Sequence, residues 1–217
     1  MLGNGFNVVE VLTSSFNILL KNPKILIPQL ISSFVFTIIS GLSRIALLSG
    51  LEGWFLTAFL LFLAGFIVYT VVSGMYPLMV KDVVNGVSPN LAAATHTALK
   101  KVISLIAASI LVSIIVAIGL VLFIIPGLIF LTWFFYTVPA LMLEDKGALE
   151  AMSASRSFGR DKKLKTLAVI ILLGLAALIG SLFSLLPFVG QILSFVTGVV
   201  VAAWASITQS YIYIKMR

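Results

Sequence analysis

Residues 166–214 read TLAVIILLGLAALIGSLFSLLPFVGQILSFVTGVVVAAWASITQSYIYI, which is 49 residues without one charged side chain. A basic cluster made of Arg160, Lys162, Lys163 and Lys165 stands immediately before this run. A helix that spans the hydrocarbon core of a bilayer needs about 20 apolar residues, so the run is long enough for two spans and a tight turn. Flanking cations are typical of span ends, where they stay outside the lipid. The stretch therefore predicts an integral membrane protein.

The composition of the whole chain agrees with this prediction. Apolar residues make up 61% of the sequence and charged residues 10%, whereas a soluble domain has roughly 25% charged residues. The net charge of +7 comes from cations beside apolar runs, which favours anionic lipid headgroups rather than nucleic acid as the partner. The absence of cysteine excludes disulfides, thiolate nucleophiles and Cys-ligated metals.

Six apolar runs are long enough to be transmembrane helices, at 25–48, 54–80, 102–125, 128–143, 166–186 and 192–214. Turns are predicted at 125–127 and 187–190, where proline and glycine interrupt the apolar sequence. The predicted fold is an all-α integral membrane protein of three helical hairpins in one domain, 1–217. Met1-Leu2-Gly3-Asn4 has no features of a secretory signal, so we expect residue 1 to begin the mature protein.

The distribution of positive charge predicts the orientation. Thirteen of the 14 Lys and Arg residues fall on one side of a six-span topology, and only Arg44 falls on the other. Positive charge is retained in the cytoplasm, so we expect both termini on the cytoplasmic side of the cytoplasmic (inner) membrane.

Three cytoplasmic stretches, one before each hairpin, show the period of an amphipathic helix. The first has the clearest apolar stripe: Phe6, Val9, Leu12, Phe16 and Leu19. The second begins at Ser88-Pro89, and the third covers about 145–160. We expect the stripe of the first helix to lie in the acyl boundary of the membrane.

Surface helix and hairpin thus recur three times, which raises the hypothesis of an internal repeat with units 4–82, 83–145 and 146–217. Ser15-Phe16 is echoed by Ser157-Phe158, and Tyr76-Pro77 by Val138-Pro139. Apolar helices resemble one another easily, so an accidental likeness stays open.

Small residues at intervals of four predict where helices pack closely in lipid. These residues are Gly180 and Ser184 in the fifth span, and Gly198, Ala202 and Ser206 in the sixth. The fourth span is instead bulky, with Phe130 and the run 133–136, so we expect it to face lipid or an interfacial belt.

The residues predicted to contact lipid headgroups are the cations that adjoin the first and third surface helices. They are Lys21, Lys24, Arg156, Arg160, Lys162, Lys163 and Lys165. Each contributes up to about 1 kcal/mol of attraction to an anionic surface. The expected partners are membrane lipids, with a homo-oligomer or a membrane-protein partner as a further option.

Catalytic features are scarce in the sequence. The only histidine, His96, is better explained as a solvated or headgroup-facing side chain than as a general base. Glu144, Asp145 and Glu150 favour surface ion pairs over a divalent cation site, because cations surround them. Arg44 is expected to be an interfacial anchor or the partner of Glu52 rather than a pore-lining group. We predict no catalytic, cofactor-binding or metal-binding residue.

Uncharged polar groups are the remaining candidates for a site inside the membrane. Three glutamines, Gln29, Gln191 and Gln209, lie near predicted span ends, where water can satisfy an amide. No ionisable residue lies at mid-depth, which is where pumps and many transporters carry one.

Two segments carry a resemblance to a known group of proteins. Glu144-Asp145-Lys146-Gly147 with Glu150-Ala151 and Ser155 forms one, and Ser15-Phe16 with Lys21-Asn22-Pro23-Lys24 forms the other. In these segments the chain resembles six-span prokaryotic proteins that include the membrane domain attached to some glycerophosphodiester phosphodiesterases. The resemblance implies a membrane module associated with lipid metabolism or the envelope. No stretch here is long enough for the phosphodiesterase domain, so no catalytic residue is carried over.

Three functional hypotheses follow. The leading one is a non-enzymatic, lipid-associated or scaffolding membrane protein. The alternative is a channel or carrier for an uncharged or lipid-like substrate, with a pathway lined by Ser and Thr. A less favoured third is an intramembrane enzyme that uses cytoplasmic carboxylates.

Overall fold

The computed structural model describes residues 6–48 and 53–217. Helices make up nearly all of this part of the chain, and no β-strand occurs in it. The helices are α1 (Val8–Lys21), α2 (Leu26–Leu48), α3 (Trp54–Val84), α4 (Leu91–Lys100), α5 (Val102–Leu122), α6 (Ile124–Phe134), α7 (Thr137–Leu143), α8 (Ala148–Arg160), α9 (Lys163–Leu182) and α10 (Gly190–Met216). Short 3₁₀ turns, Pro23–Ile25 and Phe183–Leu185, lead into α2 and out of α9.

Six helical segments of the described residues are long and apolar enough to cross a membrane. They are Pro23–Leu48, Trp54–Val84, Val102–Leu122, Ile124–Leu143, Lys163–Leu185 and Gly190–Met216. The predicted all-α, six-span fold class is therefore confirmed, and the chain is a multi-pass membrane protein.

The turn between the third and fourth spans lies earlier than predicted. α5 ends at Leu122, and Phe123 is extended before α6 begins. Pro126 is the third residue of α6, a position whose N–H has no helical partner, so the proline fits the first turn rather than ending a helix. The two arms meet at glycines: a Cβ on Gly119 would lie 2.9 Å from the Cα of Gly127. This turn depends on the absence of side chains at both positions.

The fourth span consists of two helices, α6 and α7, and it is the most enclosed of the six. In its most apolar window 39% of residues are buried, against 22% in each other span. Tyr136, between the two helices, is completely buried, and Phe130, Trp133, Phe134 and Phe135 are half-buried. The prediction that this bulky run faces lipid or an interfacial belt is wrong for Tyr136, because α3, α5, α8 and α10 pack around the span.

A proline explains the break in this span and its contact with α10. Pro139 has no N–H, so the carbonyl of Phe135, four residues earlier, loses its helical donor. The side-chain amide of Gln209 on α10 donates a hydrogen bond to that carbonyl. In lipid, a neighbouring helix has to satisfy such a freed group because bulk water is absent. The Gln209 amide thus has a partner within the protein, where the sequence indicates only that water can satisfy it.

Ser155 of α8 satisfies two further backbone groups at the same break. Its hydroxyl donates to the carbonyl of Trp133 at 2.7 Å and accepts the N–H of Tyr136 at 3.1 Å. The Tyr136 hydroxyl bonds to Thr166 Oγ1 at 2.8 Å, which adds the start of α9. The third surface helix is therefore fixed to the interior of the bundle rather than resting loosely on a membrane.

The first surface helix is likewise packed against protein. Ser15 Oγ lies 2.7 Å from Thr208 Oγ1 of α10, and the indole N–H of Trp204 donates to the carbonyl of Leu12 at 3.1 Å. Most of the apolar stripe is buried by the chain itself: Phe6, Leu12 and Leu19. The prediction that the stripe lies in the acyl boundary is wrong for these three residues. Val9, which is 70% exposed, is free to contact lipid.

Each surface helix contacts the second span of a different pair. α1 packs on α10, α4 on α3, and α8 on α6 and α7. A cyclic repeat would produce this order of contacts, but the proposed units 4–82, 83–145 and 146–217 stay a prediction. The echo of Ser15 by Ser157 does not match the packing, because Ser157 is exposed and Ser155 takes the buried position.

Candidate functional site

Two carboxylates at the basic end of the bundle, where the surface helices lie, are paired with cations. Glu144 accepts the ammonium of Lys146 at 2.6 Å and is also contacted by Arg217 and by the Tyr213 hydroxyl. Asp145 pairs with Lys101, and the hydrogen bond and charge of this lysine lower the pKa of the carboxyl below its usual value.

No group of three or more His, Asp or Glu side chains is placed to hold a metal ion within residues 6–48 and 53–217. Glu150 accepts the backbone N–H of Gly147 at 3.2 Å at the start of α8. The prediction of ion pairs is therefore confirmed for Glu144 and Asp145, while Glu150 has a capping role instead.

The predicted headgroup cations divide into two groups. Arg156 lies over the Trp133 ring at 4.8 Å, and Lys162 lies over the Phe158 ring at 4.1 Å while its ammonium donates to the Phe158 carbonyl at 3.2 Å. The second group is exposed and has no ion pair within the described residues: Lys21, Lys24, Arg160, Lys163 and Lys165. Of the cluster before α9, only Arg160, Lys163 and Lys165 are thus free to bind an external anion. We call these three residues the basic triad.

A lateral cavity of about 450 Å³ opens between α2, α3 and α10. The α2 wall contains Phe36 and four polar residues, Gln29, Ser32, Ser33 and Thr37. The α3 wall is aromatic and consists of Phe62, Phe66 and Tyr69. Phe36 of α2, Phe62 and Tyr69 are each more than half exposed, so the mouth of the cavity lies between these rings. No charged residue of the described part of the chain lines it.

A second cavity of about 260 Å³ lies on the other side of Phe66 and Tyr69, which line both cavities. Its lining residues belong to α3, α5, α6, α7 and α10. Its polar lining comprises Ser73, Ser109, Ser113, Thr137, Ser206 and Gln209. Two aromatic side chains of α3 therefore separate two polar-lined spaces within the bundle.

The small-residue ladder predicted for helix packing is realised in part. A Cβ on the buried Gly180 would lie 3.0 Å from Thr197 Oγ1 of α10, so these helices approach closely there. A Cβ on Gly198 would have no described atom within 4 Å, because Gly198 lines the lateral cavity. Ser184 is exposed. The packing prediction is wrong for these last two residues within the single chain. Ala202 and Ser206 are half-buried.

The other candidates are at the surface. His96 and Arg44 are exposed. Glu52, the predicted partner of Arg44, lies outside the described residues.

Gln29 is the functional candidate that sequence reasoning dismissed. We had expected water to satisfy its amide, but it is only 7% exposed and faces the lateral cavity. The signal was present in the sequence: Gln29, Ser33 and Thr37 recur at intervals of four and so share one face of a helix.

No family model, curated protein or solved structure matches the chain. The resemblance to the membrane domain of glycerophosphodiester phosphodiesterases therefore stays a prediction.

Proposed function

We propose that the protein is a non-enzymatic, lipid-associated protein of the cytoplasmic membrane, with both termini in the cytoplasm and anionic lipids gathered at its inner face. The observation that carries this proposal is the basic triad. Its three cations are exposed and form no ion pair within the described residues. Asp161, which lies between Arg160 and Lys163, forms none there either, and Glu144 and Asp145 pair with Lys101, Lys146 and Arg217. Unpaired cations at the start of a span attract anionic headgroups.

The state of the acidic side chains supports a role without catalysis. A general acid or base needs a free carboxyl or imidazole beside a substrate. Glu144 and Asp145 are held by Lys and Arg, and His96 is exposed on α4. The proposal also agrees with the link to envelope lipids that the resemblance implies.

Native mass spectrometry of the purified protein with phosphatidylglycerol tests the basic triad. The variant R160Q/K163Q/K165Q should bind anionic lipid more weakly by up to about 3 kcal/mol at low salt, at about 1 kcal/mol per cation. Added salt should reduce the difference because it screens the charges.

A matched control removes the same amount of charge elsewhere. Lys81, Lys100 and Lys215 are also exposed and lie outside the cluster. The variant K81Q/K100Q/K215Q should retain most of the bound lipid. Equal losses in both variants would mean that net charge, not the triad, attracts the lipid; no loss in either would favour a soluble acidic partner.

A second candidate function is a carrier for a small uncharged solute. The two cavities favour it, because they are lined by hydroxyl and amide groups and only Phe66 and Tyr69 separate them. Proteoliposomes should then swell faster than empty vesicles in a glycerol gradient, and Phe66→Ala should accelerate swelling further. Phe59→Ala is the control, since Phe59 of α3 lines neither cavity. Swelling no faster than that of empty vesicles would rule this function out for glycerol.

A further inference from the structure

The polar wall of the lateral cavity carries hydrogen-bonding groups that the protein leaves unused. Thr37 donates to the carbonyl of Ser33 in its own helix, as hydroxyls in membrane helices usually do. The hydroxyl protons of Ser32, Ser33 and Ser194 have no acceptor among the described residues. Ser32 is only 6% exposed, so its hydroxyl is directed into the cavity rather than into open lipid.

Gln29 has the largest unused hydrogen-bonding capacity of these side chains. Its amide nitrogen makes one long contact, 3.5 Å to Ser33 Oγ, and its carbonyl oxygen accepts no hydrogen bond from the described residues. An amide without partners is costly in a hydrocarbon environment, where each unsatisfied polar group costs several kcal/mol. The cavity thus offers both donors and an acceptor to a molecule inside it.

The position and length of the polar wall limit the ligand class. Gln29, Ser33 and Thr37 extend over about 12 Å of helix, at 1.5 Å per residue. The opposite wall is aromatic, and the mouth lies beside Phe36 and Phe62, which lie within their spans, Pro23–Leu48 and Trp54–Val84. A ligand that suits both walls has a compact polar part with donors and acceptors, and apolar chains that leave through the mouth.

Charge gives a second limit. Within residues 6–48 and 53–217 no charged side chain lines the cavity, and an ion without a partner in low dielectric is strongly disfavoured. The polar part of the ligand must therefore be neutral. A cavity of about 450 Å³ lies in the size range of small-molecule sites and accommodates a lipid headgroup region, but not two full acyl chains.

We infer that the lateral cavity binds the neutral glycerol head of a diacylglycerol-type lipid. The ester carbonyls accept from the Gln29 amide and the serine hydroxyls, and the lipid hydroxyl donates to Gln29 Oε1. The acyl chains pass between Phe36 and Phe62 into the bilayer. This inference rests on the proposed function in one respect, namely that the protein associates with lipid. The site itself uses no residue of the basic triad.

Photo-crosslinking tests the site with a probe of defined chemistry. Purified full-length protein in phosphatidylcholine nanodiscs is irradiated with a diacylglycerol that carries a diazirine on one acyl chain, and the labelled peptides are identified. Gly198→Leu should fill the cavity without a clash, because no atom lies within 4 Å of the new Cβ. The matched control is Gly174→Leu, an exposed α9 position that is equally open and lies outside the cavity.

We expect Gly198→Leu to abolish labelling of α2 and α3, and Gly174→Leu to leave it unchanged. Gln29→Leu should reduce labelling about 25-fold, because it removes two hydrogen bonds to the lipid, each of which contributes about fivefold. Unlabelled diacylglycerol should compete, whereas phosphatidylglycerol should not. Wild-type labelling in Gly198→Leu, or equal competition by phosphatidylglycerol, overturns the inference. The variant R160Q/K163Q/K165Q should be labelled like wild type. The crosslinking therefore tests the lateral cavity alone, whereas mass spectrometry tests whether the basic triad binds anionic lipid.

Discussion

Replacing Ser155 by alanine removes one hydroxyl from the centre of the broken fourth span. That hydroxyl bonds to the carbonyl of Trp133 and the N–H of Tyr136, at 2.7 and 3.1 Å. Both are backbone groups beside the interruption between α6 and α7, and Tyr136 is completely buried. Alanine fits the same space, so the change isolates the hydrogen bonds from the packing.

Two buried backbone groups would lose their partner at once. Each unsatisfied group costs about 1–3 kcal/mol, so the variant should lose about 2–4 kcal/mol in its free energy of unfolding after some relaxation. An average interhelical side-chain bond in a membrane protein contributes only about 0.6 kcal/mol, because the separated helices find other partners. Ser155 should exceed that value, because the break prevents the backbone groups from recovering a helical partner.

Reversible unfolding in mixed detergent micelles, titrated with sodium dodecyl sulfate, measures this difference. Ser157→Ala is the control, because Ser157 is exposed on the same helix and bonds only to the carbonyl of Ala154 at 2.8 Å. The control should stay within about 0.5 kcal/mol of wild type. A loss below about 1 kcal/mol for Ser155→Ala would refute the argument that α8 stabilises the break.

Two other predictions concern packing and topology. Gly180→Leu should lower the free energy of unfolding by about 1–3 kcal/mol in the same titration, because the leucine side chain would displace Thr197. Gly174→Leu is the control, because its position is open and its stability should not change. Equal stabilities of the two variants would show that α9 and α10 separate at little cost. In this cysteine-free chain, single cysteines at Ser157 and at Ser49, which lies outside the described residues, should react with an impermeant maleimide from opposite sides of the membrane. Reaction of both from one side in intact cells would contradict six spans with cytoplasmic termini.

The number of spans could be predicted from sequence because it depends on local quantities. Length and hydropathy mark a span wherever about 20 apolar residues occur together, whatever surrounds them. The 49 uncharged residues at 166–214 yielded two helices, as predicted. The ion pairs of Glu144 and Asp145 were also predictable, since opposite charges were concentrated in one short stretch.

What could not be predicted depends on contacts between distant segments. The bulky residues around Tyr136 suggested exposure to lipid, but size alone does not say whether neighbouring helices surround a span. Pro139 signalled that a carbonyl would be free, yet only the fold shows that Gln209, 70 residues later, satisfies it. Gly198 looked like a packing position and instead borders a cavity, because spacing cannot distinguish a contact from a void.

The pairing of α1 with α10 has a consequence for synthesis of the chain. α1 is made first. Trp204 and Thr208, which cover it, follow their partners Leu12 and Ser15 by 192 and 193 residues, a delay of about 10 to 40 s at 5–20 residues per second. During that interval Leu12 and Leu19 lack the contact with α10, and the bilayer surface is an apolar environment that can accept them. The amphipathic pattern of α1 thus suits a temporary stay on the membrane before it docks. A nascent chain arrested at residue 189 should keep α1 open to protease, and protection of α1 at that stage would show that it docks earlier on something else.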